Sequence, residues 1–450
     1  MGRIFGTDGV RGIANKDLTC ELAMNIGRAV SEVLANNKHK KPKILIGKDT
    51  RLSSNMLEGA LQAGICSAGA DVLLLGVVPT PAVAYLVKKY SADAGIMISA
   101  SHNSYEFNGI KIFDSNGYKL PDKIENQIEE LLETGFENEE NLIGDKLGNV
   151  IVETGAVRDY ILHLESCVNK DFSGMKVAVD CSNGSACSTA EKLFKDLKAD
   201  CHIISNNPNG ININDNCGST HLEGLSKYVK DNNMDLGIAF DGDADRCLAV
   251  DENGEVVDGD VIMAICAMYM KQNGMLRKNT VVGTIMTNMG FTDFCKREEI
   301  EFSSTKVGDR YVLEEMLDKG YNLGGEQSGH MILLDYSTTG DGQLTAVWLL
   351  NILNQGKMKL SEISKLVTKY PQSILNVEVS QKQKLEFNSN EKVNKIIFDS
   401  EEKLADKGRV VVRESGTEPL IRIMVECIDE VLLKEVMNDI CIKLKELLKN

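Results

Sequence analysis

The sequence predicts an α/β protein that ends in a smaller α+β domain. Three observations carry that expectation. Short apolar runs followed by helical patterns recur along the first two thirds of the chain. From about Gln372 the pattern changes to strand, helix, strand, strand, helix. The chain has 450 residues, more than one hydrophobic core holds, so two to four domains are expected.

The elements follow in order. Residues 43–47 form an apolar run that leads into a helical stretch from Met56 to Ala68 and then a strand over 71–76. A strand over 175–180 leads into a helical stretch over 188–197. A strand over 280–284 precedes a helical stretch near Gly290. Apolar runs of this length between helices describe buried, largely parallel strands. In the last helix Leu433, Val436, Met437, Ile440, Leu444 and Leu447 recur at spacings of three and four, with Lys445 and Lys449 on the other side, so one face is apolar. Tyr370-Pro371 marks a hinge, because proline disfavours helix in the residue before it. Further boundaries fall in the charged segment 137–148 and near Asp258-Gly259-Asp260. The chain is therefore divided as 1–150, 151–256, 257–370 and 371–450.

Composition excludes several classes. A formal net charge of -16 opposes binding to nucleic acid, which needs a basic face. An anionic substrate then requires cations gathered locally. The 12 cysteines include no Cys-x-x-Cys pair, and several, such as Cys66 and Cys266, lie in apolar runs. They read as reduced core residues of a cytoplasmic protein. No run approaches the ~18 apolar residues of a membrane span, and the first residues carry no apolar signal core.

Two polar clusters carry the chemistry. After the strand 236–240 come Asp241, Asp243 and Asp245, whose period of two places all three on one side of an extended backbone. Hard oxygen ligands of this kind suit magnesium. Read as a calcium loop, the same stretch puts Glu252 at position twelve but Arg246 at position six, where glycine is required, so that reading fails. The second cluster is Ser101, which follows the apolar run 94–98 among small residues. His102 or a bound metal can activate its hydroxyl, and Lys111 supplies a nearby cation. A serine that carries phosphate and carboxylates that hold a divalent ion against it make a phosphoryl-transfer site.

Two further loops suit a phosphosugar. Between the strands 409–412 and 420–425, Ser415, Gly416 and Thr417 offer backbone N–H groups and hydroxyls to a phosphate, with Arg413 as a forked donor and Arg422 as a second cation. In the loop 324–330, Glu326 and Ser328 can bond sugar hydroxyls and His330 can move a proton.

These motifs, with Gly6-Thr7-Asp8-Gly9-Val10-Arg11-Gly12, the stretch Asn214 to His221 and Thr305-Lys306-Val307-Gly308-Asp309-Arg310, resemble the α-D-phosphohexomutases over the whole chain. Gln327, where family members acting on mannose usually carry methionine, and the stretch Cys217 to His221 place it nearest the members that act on glucosamine phosphate. A phosphomannomutase/phosphoglucomutase remains the alternative. The resemblance implies three successive mixed α/β/α sandwich domains and a smaller α+β C-terminal domain around a central cleft. It implies a phosphoserine at Ser101, one magnesium ion on Asp241, Asp243, Asp245 and the Ser101 phosphate, and a hexose 1,6-bisphosphate as activator. Arg11, His102, Lys111, Arg246, Lys306 and His330 would serve proton transfer or charge stabilisation. Glu326 and Ser328 would hold the sugar, and Arg413, Ser415, Gly416, Thr417 and Arg422 the unreacting phosphate. A homodimer is implied too.

Three positions depart from the family pattern. Ser104 and Glu414 stand where proline is usual, and Lys48 stands for arginine, which keeps the charge and loses the fork. A sugar-phosphate sensor on the same fold would have lost Ser101 or one of the aspartates, and all are present. A phosphatase would release inorganic phosphate stoichiometrically.

Overall fold

The computed structural model of the chain describes residues 4–6, 8–34, 41–136, 142–168, 171–380, 387, 390–414 and 420–448. The chain alternates strand and helix from the start: β1 (Val10–Ile13), α1 (Cys20–Leu34), β2 (Lys43–Lys48), α2 (Leu52–Ser67), β3 (Asp71–Val77), α3 (Thr80–Lys89), β4 (Ala94–Ile98), β5 (Phe107–Asp114), α4 (Asp122–Thr134) and β6 (Val150–Val152). The strands form one sheet in the order β1-β5-β4-β2-β3-β6. Its three links from β4 to β6 are parallel and the two toward β1 are antiparallel. The central strand β4, Ala-Gly-Ile-Met-Ile, is buried at every position, as a strand covered on both faces must be. α1 and α2 approach closely because both carry glycine at the contact: a Cβ on Gly64 would meet the Met24 carbonyl oxygen at 2.0 Å.

A second series follows: α5 (Ala156–Ser166), β7 (Lys176–Asp180), α6 (Ala190–Asp196), β8 (Asp200–Ile204), α7 (Glu223–Asp231), β9 (Leu236–Phe240), β10 (Cys247–Asp251) and β11 (Val256–Val257). These strands order as β11-β10-β9-β7-β8. A third comprises α8 (Gly259–Gln272), β12 (Thr280–Thr284), α9 (Met289–Arg297), β13 (Glu301–Thr305), α10 (Asp309–Lys319), β14 (Leu323–Gly325), β15 (Met331–Leu333), α11 (Gly342–Gly356) and α12 (Leu360–Ile363), with strand order β13-β12-β14-β15. The C-terminal series is β16 (Gln372–Glu378), α13 (Glu391–Leu404), β17 (Gly408–Glu414), β18 (Leu420–Cys427) and α14 (Glu430–Leu448), with antiparallel strands ordered β16-β18-β17. The expected change of pattern at Gln372 is thus met, and Leu433, Val436, Ile440 and Leu444 are buried.

The chain resolves into two compact units, residues 1–284 with 303–365, and residues 285–302 with 366–450. Residues 285–302 therefore belong with the C-terminal strands, which their place in the sequence does not suggest. Polar contacts tie the two segments together. Within this unit the buried Glu426 accepts from the Met289 N–H at 2.9 Å and from Arg409 Nε at 2.7 Å. Asn288 and Tyr370 exchange two bonds, at 3.0 and 2.9 Å. Among the described residues no helix is long and apolar enough to cross a membrane.

Sheet register positions the site. Lys48 and Ile98 are partners at the ends of the parallel strands β2 and β4, so the loops after them leave the same sheet edge. The Asp49 N–H bonds the Ile98 carbonyl at 3.0 Å. In an open α/β sheet this is the edge where ligands bind.

Candidate active site

Ser101 is fully buried and has φ +53°, a left-handed conformation that costs a non-glycine residue about 1–2 kcal/mol. Its surroundings impose that conformation. Arg51, itself buried, donates to the carbonyls of Ser101 (3.0 Å), Asn103 (2.8 Å), Phe107 (3.0 Å) and Ser104. Asn214 donates to Ser101 O and Asn103 O at 2.9 and 3.0 Å. Asp49 orients Arg51 through its Nε at 2.8 Å and also accepts from Ser99 Oγ at 2.6 Å. Ser99 Oγ in turn accepts the Ser101 N–H at 3.0 Å. The result aims Ser101 Oγ at Asp241 Oδ2, 2.6 Å away across 140 residues of sequence.

The aspartates converge, but not along an extended strand. Residues 241–245 form a turn in which Ala244 has φ +57° and its N–H bonds the Asp241 carbonyl at 3.1 Å. The expectation of an extended backbone is corrected: the turn, not period two, gathers the carboxylates. Gly242 sits where a Cβ would come 2.5 Å from Ser101 O, so glycine is required for the serine loop to lie against the turn.

All three carboxylates are buried, with candidate ligand oxygens within 4.8 Å of one another. Asp243 Oδ1 and Asp245 Oδ1 accept no hydrogen bond. Burial, then the charges of Asp245 and Asp243, push the Asp241 carboxyl well above its ordinary value. Crowded, under-bonded, hard oxygen donors of this sort fit a magnesium ion.

Cations surround this core. Lys111 is buried and reaches Asp243 at 2.7 Å, Asp8 at 2.9 Å and Asp245 at 3.4 Å. Burial alone would lower its pKa, but these carboxylates raise it well above normal, so it stays charged. Arg246 donates its backbone N–H to Asp241 Oδ1 at 3.2 Å, and its Nε lies 3.9 Å from Asp245. Arg11 pairs with Asp8 and reaches Asn103 Oδ1 at 3.5 Å. His102 Nδ1 lies 3.3 Å from Ser101 Oγ. Burial, then Arg246 and Arg11, depress this imidazole to about 4, which leaves it a neutral acceptor at pH 7.

His330 faces the cluster from the other side, paired through a backbone bridge with Arg246. Its Nδ1 is 3.6 Å from Asp245 and its Nε2 3.5 Å from Asp309. The Gly340 N–H donates to Nε2 at 3.1 Å, which favours a neutral ring. Burial lowers its pKa as well, but Asp245 and Asp309 raise it to a net increase. An imidazole held between opposing influences is suited to moving a proton. Glu326 accepts the Gly308 N–H at 3.1 Å, and burial raises its pKa.

Other predicted residues stand apart. Lys306 is exposed, with Nζ 5.9 Å over the ring of Tyr311, and lies outside the buried cluster. Ser328 is exposed. Arg413 and Arg422 are direct cross-strand partners on β17 and β18 and, with Asn376 and Met286, line a cavity of about 200 Å³ in the C-terminal unit. Ser415, Gly416 and Thr417 lie outside the described residues.

Sequence reasoning passed over several members of the site. Asp8 receives Lys111 and, at 2.5 Å, Lys119. Lys119 also pairs with Asp309. Thr80 Oγ1 donates to Asp243 Oδ2 at 2.5 Å. Arg51 and Asp49 shape the serine loop. Asp8, Asp309 and Asn214 stood inside quoted motifs and were legible there, whereas Lys119 and Thr80 carry no local signal.

The chain matches all four domains of the phosphoglucomutase/phosphomannomutase family: alpha/beta/alpha domain I over residues 2–139, domain II over 158–254, domain III over 258–370 and the C-terminal domain over 374–443. It is 54% identical over 430 residues to phosphoglucosamine mutase of Clostridium acetobutylicum, covering 96% of each chain. It is 52% identical to that of Ruminiclostridium cellulolyticum over 426 residues, 95% of each. The chain belongs to the phosphoglucosamine mutase family. Solved structures extend the likeness of fold beyond this family. A phosphoglucomutase/phosphomannomutase family protein from Burkholderia thailandensis superposes with a TM-score of 0.82 at 23% identity, over 99% of this chain and 97% of that one. N-acetylphosphoglucosamine mutase of Aspergillus fumigatus, solved with GlcNAc-6P and magnesium, does so at 0.68 and 17% identity, over 98% and 95%. The phosphoglucosamine mutase fold of three α/β domains and a C-terminal domain is thus the one expected from the sequence.

Proposed function

We propose that this chain interconverts glucosamine 6-phosphate and glucosamine 1-phosphate through a phosphoserine at Ser101 and a 1,6-bisphosphate intermediate. It is a phosphosugar mutase, an enzyme of the isomerase class. The observation that carries the mechanism is the Ser101 hydroxyl, buried and held 2.6 Å from Asp241 in a loop with an imposed backbone. The choice of glucosamine follows the relatives, named phosphoglucosamine mutase and half identical to this chain.

Phosphorylated Ser101 gives its phosphoryl group to the 1-hydroxyl of glucosamine 6-phosphate. His330 takes the proton that the hydroxyl loses, with His102 as the neutral acceptor nearest Ser101. Lys111, Arg246 and Arg11 offset the charge on the equatorial oxygens of the transferring group, with Lys306 as a further cation. Glu326 and Ser328 hold sugar hydroxyls. Arg413, Ser415, Gly416, Thr417 and Arg422 hold the phosphate that is not reacting. The bisphosphate turns over, and its 6-phosphate returns to Ser101. Asp241, Asp243 and Asp245, with the Ser101 phosphate, would hold magnesium, which when bound draws charge from the phosphoryl oxygens.

In this reading the segments 1–150, 151–256, 257–370 and 371–450 carry the phosphoserine, the metal ligands, the sugar loop and the phosphate loop respectively. The enzyme works as a cytoplasmic homodimer re-primed by a hexose 1,6-bisphosphate, and the 12 cysteines, all free thiols, suit that compartment.

A coupled assay tests the proposal, with glucosamine 6-phosphate, magnesium and a trace of hexose 1,6-bisphosphate, beside glucose and mannose phosphates. A preference for the glucosamine ester that falls roughly 10³-fold or more in Ser101→Ala is expected. Preference for mannose or glucose phosphate would overturn the substrate, and full activity of the variant would overturn the phosphoserine.

A further inference from the structure

Away from the serine and carboxylates, a cavity of about 430 Å³ opens at the C-terminal end of α3, within the ~300–1,000 Å³ usual for small-molecule sites. Its walls combine rings and positive charge. Tyr85 of α3 and His163 of α5 stack with centres 4.1 Å apart and planes 13° from parallel, and Tyr336 adds a third half-buried ring. Lys89 Nζ lies 6.0 Å from the centre of the Tyr85 ring and pairs with Asp159 at 3.0 Å. Lys88 is exposed beside it. Burial, then the two lysines, lower the pKa of His163, so the ring is neutral and donates Nε2–H to the Tyr336 carbonyl at 3.0 Å. Flat faces stack on a planar base, and lysines attract phosphate.

Both walls of this cavity run into the catalytic cluster. α3 begins at Thr80, which donates to Asp243 through both its hydroxyl (2.5 Å) and, to the Asp243 carbonyl, its N–H (2.9 Å). Lys88 lies roughly 12 Å further along the helix at ~1.5 Å per residue. The other wall is the strap 336–341. α5 holds it twice, through His163 on Tyr336 O and through Tyr160 OH on Asp341 Oδ1 at 2.8 Å. Thr338 Oγ1 bonds Gly117 O at 2.5 Å. The strap presses Gly340 onto His330 so closely that a Cβ there would come 2.4 Å from the imidazole.

We propose that this cavity binds a nucleoside phosphate and that its occupancy regulates the enzyme through α3 and the strap. The chemistry of the lining names the ligand class: a planar base on the rings and an anionic group at Lys88 and Lys89. The regulatory part rests on the mutase reading; the binding part does not.

The full chain provides its own reporter, because its single tryptophan, Trp348, has its ring centre 5.4 Å from that of Tyr336. Uridine and adenosine 5′-phosphates, and inorganic phosphate, are titrated by calorimetry and by Trp348 fluorescence with glucosamine 6-phosphate held saturating. Saturable binding of a nucleoside phosphate is expected, at least tenfold tighter than inorganic phosphate. Lys88→Ala should weaken it tenfold or more at unchanged basal turnover, and Tyr85→Leu should weaken the nucleoside phosphate but not inorganic phosphate. Turnover at saturation should change at least twofold in the wild type and stay constant in Lys88→Ala. Absence of binding, binding unaffected by Lys88→Ala, or displacement by glucosamine 6-phosphate would overturn the site. Binding with turnover unmoved would overturn its regulatory role.

Discussion

Ser101 follows the end of one strand and Arg413 lies near the end of another, yet the molecule holds them in different ways. Around Ser101 the carbonyls of Ser101, Asn103 and Ser104 meet side chains from far away in sequence, Arg51 or Asn214. The hydroxyl is aimed before any substrate arrives. Arg413 and Arg422 instead sit directly opposite each other on neighbouring strands and line a cavity of about 200 Å³. One region fixes a single buried hydroxyl, and the other gathers two guanidinium groups on the wall of a cavity. In the proposed reaction, preorganisation of this kind spares the Ser101 loop any reorganisation.

Arg51→Ala should break the contrast most severely. It leaves the buried Asp49 unpaired and frees the serine loop, so a loss of about 3–5 kcal/mol in urea unfolding is expected, with turnover lost even where the variant is folded. Retained turnover would show that the loop does not depend on the guanidinium.

Asp341, which anchors the strap beside His330, gives the next largest effect. Burial raises its carboxyl to about 6, against ~3.9 in an unfolded chain. Between these values the folded state keeps a proton that the unfolded state has lost, so stability falls as pH rises through that window. The fall is on the order of 3 kcal/mol. Asp341→Asn keeps the Oδ1 acceptor for Tyr160 and the Leu344 N–H and should flatten the profile, raising stability at neutral pH. Unfolding midpoints on either side of the window measure this; a slope equal to the wild type would refute it.

Arg413→Ala should separate binding from folding. Under the proposed function, removing one charge-assisted contact to the phosphate costs about 1.5–3 kcal/mol, a KM roughly 10–100-fold higher, with a smaller change in the unfolding midpoint than Arg51→Ala gives. A loss of stability without a change in KM would place Arg413 with the structural residues. The smallest effect belongs to Lys48→Arg. Lys48 already reaches Glu58 at 2.5 Å and Asn55 at 2.8 Å, so restoring arginine should shift stability by no more than about 0.5 kcal/mol.

Much of this was legible in the sequence. The strands 43–47, 175–180 and 280–284 and the final helix announce themselves by apolar period, because burial is what that period encodes. Ser101, the three aspartates and the loop at Glu326 announce themselves by residue type. What stayed hidden is long-range or conformational. Lys119 meets Asp309 across 190 residues, and nothing near either residue marks the pair. The left-handed Ala244 that gathers the aspartates is a residue whose type does not favour that conformation. The attachment of residues 285–302 to the C-terminal strands rests on Glu426 and Arg409, more than a hundred residues downstream, and local patterning is blind to it.

The φ of +53° at Ser101 also bears on which hydroxyl can serve. Threonine has the same nucleophilic group, and on reactivity alone it would be an acceptable replacement. Its branched Cβ makes it an outlier in the left-handed region. In the proposed mechanism the phosphate carrier is thus chosen by backbone geometry rather than by oxygen chemistry, and Ser101→Thr should fail where a threonine on an ordinary turn would work.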